Sequence, residues 1–137
     1  MNVNDYNNPL KELIVKQAET REEIDKLLAE ILKPFVEIEE NGKIYFKDFT
    51  YKLPIEKQIL LLLCGQLAIK RMGITDEDGF SQQEILQFFK TIPEGTIKGR
   101  LNTLRVKRFV FLKEKKNTLI ERYLPRIREF LNFKTNE

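Results

Sequence analysis

The side chains best equipped for chemistry are cations and amides gathered after residue 95: Lys98, Arg100, Arg105, Lys107 and Arg108, then Lys113, Lys115 and Lys116, with Thr96, Asn102 and Thr103 among them. Lysine and arginine neutralise phosphates, and lysine and asparagine also hydrogen-bond guanine and adenine edges. Gly99, in their midst, would let a partner's backbone come close. The charge of the chain is split to match. Residues 1–79 hold 11 Lys+Arg against 15 Asp+Glu, net −4; residues 80–137 hold 13 against 6, net +7, and together these give the formal +3 of the chain. Such asymmetry hints at a polyanionic partner. The same residues also make an ordinary solvated face, so their placement has to discriminate.

Other chemistry is poorly supplied. The 137 residues include no His and no Trp, one Cys (Cys64) and one Ser (Ser81). Intrachain disulfides, Cys/His zinc sites and His-based nucleophilic triads are therefore excluded. Gly42-Lys43 lacks the preceding Gly and following Ser/Thr of a phosphate-binding loop, and Gly95 to Gly99 opens no dinucleotide fingerprint. Glu22/Glu23 and Glu39/Glu40 lie in polar stretches unsuited to acid–base work. No enzyme activity, cofactor or metal is expected. The longest apolar run, Ile59 to Gly65, is too short to span a membrane. The first residues lack a signal-peptide pattern, and a lone Cys in an apolar run suits a reducing cytoplasm as a small buried hydrophobe.

The elements that must position the cations can be read from apolar spacing. At 100° per residue Ile97, Leu101 and Leu104 form one stripe, so residues 94–107 read as a helix with that core side. Lys98, Gly99, Asn102, Thr103 and Val106 then face away, with Thr96 and Arg105 on the flanks. Residues 109–112 read as a strand, 113–117 as a basic turn and 118–123 as the return strand. Upstream, residues 54–72 form a helix apolar nearly all round, hence buried, and Gly73 stops it. Ser81-Gln-Gln-Glu84 is a capping box opening a short helix that ends near Lys90. The acidic loop 73–79 fails as a calcium loop, because counting from Asp76 the fifth position is Phe80 and Gly79 comes early; it reads as a solvated turn. Pro125 opens a last helix with Ile127, Phe130 and Leu131 inward.

Ahead of these, residues 1–8 are polar and read as frayed. A helical stripe begins at Pro9 with Leu10, Leu13, Ile14 and Ala18, and continues through Ile24, Leu27, Leu28, Ile31 and Leu32. Thr20-Arg-Glu-Glu23 is a capping box where the helix restarts, and Pro34 ends it. Its apolar stripe needs cover, from its own domain or from a second copy. Asn41-Gly42 between two alternating runs predicts a hairpin closed by a type I′ turn. Phe35, Tyr45, Phe46 and Phe49 read as core packing in preference to base stacking.

From residue 54 the order is helix, helix, tight turn, helix, strand, basic turn, strand, helix. Residues 93–110, Pro-Glu-Gly-Thr-Ile-Lys-Gly-Arg-Leu-Asn-Thr-Leu-Arg-Val-Lys-Arg-Phe-Val, resemble the recognition-helix segment of winged helix-turn-helix transcription regulators. Thr96, Ile97, Leu101, Leu104, Phe109 and Val110 fill that family's pattern, and Ser81-Gln-Gln-Glu-Ile85 resembles the start of its second helix. The likeness covers roughly residues 54–131 and is strongest to small archaeal winged-helix proteins. One departure is Arg108, where the family often has Gly with φ > 0 before the first wing strand.

The resemblance implies an α+β fold, mainly helical with small hairpins: an ancillary N-terminal helix and hairpin over residues 1–49, and a winged-helix domain over 50–137. It implies a cytoplasmic transcriptional regulator that reads double-stranded DNA, with the third helix in the major groove. Thr96, Lys98, Gly99, Arg100, Asn102 and Thr103 would then lie toward the DNA, Lys98 on a phosphate or guanine and Asn102 on adenine. Arg105, Lys107 and Arg108 suit phosphates, and Lys113, Lys115 and Lys116 the backbone or minor groove. The N-terminal helix is a candidate homodimer contact. The alternative is a winged-helix adaptor that binds protein without touching DNA, for which exposed Val106 speaks.

Overall fold

The computed structural model describes residues 9–10 and 20–131. The first helix, α1 (Arg21–Leu32), starts where its cap is written: Thr20 Oγ1 accepts the Glu23 N–H at 3.1 Å, and Glu23 Oε1 accepts the Thr20 N–H at 3.1 Å. The predicted upstream stretch, residues 11–19, lies outside the described residues. Ile24, Leu28, Ile31 and Leu32 are buried on two later helices, α2 (Ile55–Arg71) and α5 (Leu124–Leu131). Over Arg21–Leu32 the apolar stripe is therefore covered by its own chain.

Strands β1 (Val36–Ile38) and β2 (Ile44–Phe46) form the expected antiparallel hairpin, with Val36 opposite Phe46 and Ile38 opposite Ile44. Its turn differs from the expected type I′. The Gly42 N–H donates to the Glu39 carbonyl at 2.8 Å, and the Glu39 N–H to the Lys43 carbonyl at 2.9 Å, leaving a three-residue loop. Within that loop only Gly42, at φ 92°, is left-handed. Asn41 Oδ1 accepts the Lys43 N–H at 2.9 Å, so the asparagine closes the turn with its side chain and needs no positive φ. Gly65 in α2 lets the hairpin lie close: a Cβ there would sit 3.1 Å from Ile44 Cδ1.

A 3-10 turn (Asp48–Lys52) leads into α2 (Ile55–Arg71), the central helix. Ile59 to Leu63 and Cys64 are wholly buried, as an all-round apolar helix requires. Burial pushes the Cys64 thiol pKa up to about 12, so it behaves as an inert hydrophobe. Gly73, at φ 80°, ends the helix: the Ile74 N–H reaches the Ile69 carbonyl at 3.0 Å and the Gly73 N–H the Lys70 carbonyl at 2.9 Å.

The remaining elements are β3 (Gly79–Ser81), α3 (Gln82–Phe88), α4 (Glu94–Val106), β4 (Val110–Lys113), β5 (Lys116–Leu119), a 3-10 turn (Glu121–Tyr123) and α5 (Leu124–Leu131). The sequence did not announce β3. It pairs with β5, giving a three-stranded antiparallel sheet in the order β3-β5-β4. The architecture is mixed α+β, with five helices and two small antiparallel sheets among the described residues. Buried residues from Ile24 to Leu131 form one core, so the hairpin and α1 share it with everything after residue 50. No described helix is long and apolar enough to cross a membrane.

Candidate nucleic-acid interface

Helix α4 has two faces. Ile97, Leu101 and Leu104 are each 0% exposed and pin one face to the core. On the other, Thr96, Lys98, Gly99, Arg100 and Asn102 are exposed, Thr103 is half-buried and Val106 is 73% exposed. The sequence stripe and the structure agree here. Neither Gly95 nor Gly99 has a packing reason to lack a side chain, since a Cβ on either would meet nothing within 4 Å. The Thr103 hydroxyl donates back to the Gly99 carbonyl at 3.1 Å.

The cations behave differently from one another. Lys98 pairs with Glu94 one turn earlier at 3.4 Å. Arg100 and Lys107 both reach Glu56 at the start of α2, at 3.4 and 3.1 Å, and the Lys107 ammonium lies 4.3 Å from the centre of the Phe130 ring. Arg105 turns inward: its Nε and Nη2 donate to Asn117 Oδ1 at 3.1 and 2.6 Å. Asn117 is wholly buried and donates through Nδ2 to the Phe80 carbonyl at 3.1 Å. Arg105, expected on phosphate, thus bolts α4 to the β3-β5 ladder.

Beyond α4 the chain makes a tight reversal. The Phe109 N–H reaches the Leu104 carbonyl at 3.1 Å and the Arg108 N–H the Arg105 carbonyl at 3.0 Å, with Arg108 at φ 67°. The departure from Gly at this position leaves the left-handed closure intact; Arg108 adopts it at a cost of order 1 kcal/mol. The β4–β5 turn is narrower than the predicted 113–117. Lys113 pairs with Lys116, and Glu114 and Lys115 between them have φ 51° and 69°. Two central residues at positive φ are the signature of type I′, so that turn occurs here and not at Asn41-Gly42.

Lys113 and Lys116 share the face of this hairpin turned away from Asn117. Lys113 lies 3.3 Å from Asp78, and Lys116 lies 3.3 Å from both Glu77 and Glu84. Burial lowers the Lys116 pKa, but the hydrogen bonds and charges of Glu77 and Glu84 outweigh it and hold it above 10.5. Glu84 is held below the usual carboxylate value, first by the Ser81 N–H and then, against some burial, by Lys116 and the Ser81 hydroxyl. The loop expected to be merely solvated is thus the acidic partner of two candidate lysines. Glu56, Glu77, Asp78 and Asn117 escaped the sequence reading because their partners lie 12 to 51 residues away. The acidic first part of the chain was the available signal.

Two of the eight candidate cations remain: Arg108 and Lys115 make no ion pair or side-chain hydrogen bond among the described residues, and both are exposed. Asn102 and Thr96 are equally unengaged there. Comparison of the chain with protein-family models, with curated proteins and with solved structures finds no match in any of the three. The functional reading therefore rests on this geometry.

Proposed function

We propose that the protein binds double-stranded DNA as a transcriptional regulator of winged helix-turn-helix type, with α4 in the major groove and the β4–β5 hairpin on the flanking backbone. The element order α2-α3-α4-β4-β5 and the strand order β3-β5-β4 support the winged-helix reading. The observation that carries the DNA reading is the pair of exposed, unengaged cations, Arg108 just after α4 and Lys115 at the tip of the β4–β5 hairpin. Each sits on left-handed backbone that the fold fixes, Arg108 where α4 closes and Lys115 in the type I′ turn, so the fold holds both cations at set positions. On α4, the Cβ-free surface at Gly95 and Gly99 admits a phosphodiester backbone or a base edge, and Asn102 is free to pair with adenine.

The test is fluorescence anisotropy of a labelled random duplex titrated with protein across a salt series. Log K falls linearly with log salt, with a slope of at least about −1.8 for two neutralised phosphates. Absence of binding at about 50 mM salt overturns the reading.

One observation favours a second reading, an adaptor that docks on protein. Val106 is 73% and Leu112 54% exposed, which puts apolar surface where DNA offers little beyond a thymine methyl. Such a complex would survive salt that strips protein from DNA.

A further inference from the structure

The acids that engage Lys113 and Lys116 are held in place by the fold. The buried Gln66 donates through Nε2 to the Glu77 carbonyl at 2.8 Å, and the Glu77 N–H donates to Thr75 Oγ1 at 3.2 Å. Immediately after, Gly79 pairs with Thr118 and Ser81 with Lys116. A Cβ at Gly79 would collide with the Asn117 carbonyl, so only glycine permits that approach. The connector is therefore anchored on α2 before the acids and on β5 after them. Asp78, only 21% exposed, meets Lys113; Glu77 meets Lys116 from one side and Glu84 from the other. Three carboxylates thus stand where phosphates would have to stand to use these two lysines. At such a surface each ion pair is weak and exchangeable, worth about 0–1 kcal/mol, so a phosphate chain can replace it.

We propose that Glu77, Asp78 and Glu84 form a built-in polyanion mimic that occupies Lys113 and Lys116 and restrains the hairpin's grip on DNA; this rests on the DNA-binding reading above. With the mimic seated, Arg108 and Lys115 are the hairpin-side cations offered to a first encounter. The other two lysines join only where the phosphates on offer outcompete the carboxylates. The device damps binding to arbitrary DNA, where the encounter is brief, more than binding where α4 is also seated.

The experiment compares the whole chain with Glu77→Gln/Asp78→Asn, whose backbone anchors are untouched, and with Glu37→Gln/Glu39→Gln, which changes net charge equally on the β1–β2 hairpin. Binding of the random duplex is read by anisotropy across salt, with folding checked by circular dichroism. The first variant binds about tenfold tighter at about 0.1 M salt and steepens the salt slope by about one, near 0.9 for the released Lys113, while Glu84 still meets Lys116. The second stays close to wild type. Adding Lys113→Gln/Lys116→Gln to the first variant removes the gain. If wild type binds DNA and the first variant gains no more than the charge control, or its gain survives loss of the two lysines, the mimic is refuted and the DNA reading stands. If no protein in the set binds at about 50 mM salt, the DNA reading fails and the mimic falls with it.

Discussion

Arg105 and Arg108 stand three residues apart and have opposite surroundings. Arg105 donates twice to a wholly buried Asn117, whereas Arg108 bonds nothing described through its side chain. Arg105→Ala therefore strips a buried oxygen of its donors and lowers stability by about 1–3 kcal/mol, with the salt slope of DNA binding unchanged. Urea unfolding and anisotropy read the two effects separately; a slope shallower by one at unchanged stability would make Arg105 a phosphate contact after all. Arg108→Gly relieves the φ of 67° and raises stability by about 1 kcal/mol, while the slope becomes shallower by about one. A mutation that strengthens the fold and weakens binding separates strain kept for a partner from strain without use. Glu84 gives a pH signature. Its folded pKa lies below the ordinary 4.5, so its stabilisation is present above about pH 4.5 and is lost as pH falls through the folded value. Urea midpoints from pH 3 to 6 should fall on the acid side for wild type, and less steeply for Glu84→Gln. Parallel curves would remove Glu84 from the acid response.

Elements whose cause is local were legible in the sequence. The boxes at Thr20 and Ser81 start α1 and α3 where written, because three consecutive peptide units and two side chains decide them. The stripe of α4 was legible because Ile97, Leu101 and Leu104 fall on one helical face. The three residues of β3 were not, since their pairing is with β5, some 35 residues on, and nothing in Gly79-Phe-Ser81 alternates long enough to announce a strand. The type I′ turn lies in the second hairpin and not in the first for a related reason. The Asn41 side chain supplied a closure that spared it positive φ, while Glu114 and Lys115 accept positive φ to keep the two-residue register of β4 and β5. At the site, the exposed face of α4 was readable and the pairing of its neighbours was not. Gly99→Ala tests the face as an element. The new methyl meets nothing in the free protein, so helix propensity alone raises stability by up to about 1 kcal/mol. Anisotropy should report weaker DNA binding by the same variant, because the methyl stands where the duplex must approach. Unchanged affinity would put DNA away from this part of α4.

On the scale of the molecule, the split between an acidic first part and a basic second part is partly spent inside the fold. Glu56 takes Arg100 and Lys107, Asp78 takes Lys113, and Glu77 takes Lys116, each an acid before residue 80 holding a cation after it. A one-dimensional count cannot register this, which is why the net +7 overstated the cationic surface. The same folding-back disposes of the apolar stripe of α1 over Arg21–Leu32, where Ile24, Leu28, Ile31 and Leu32 lie against α2 and α5. Arg71, only 12% exposed, fastens the arrangement, bonding Asp25 of α1 at 2.5 Å and lying 3.7 Å from Glu121 ahead of α5. With that face spent within one chain, no apolar stripe of α1 is left over these residues to drive self-association. If a dimer needs that part of the stripe, light scattering at several concentrations returns the 16.3 kDa of a single chain, and selected DNA sites lack two-fold symmetry. A mass that doubles with concentration would require a dimer contact elsewhere, and the preferred sites would then carry paired half-sites about one helical turn apart.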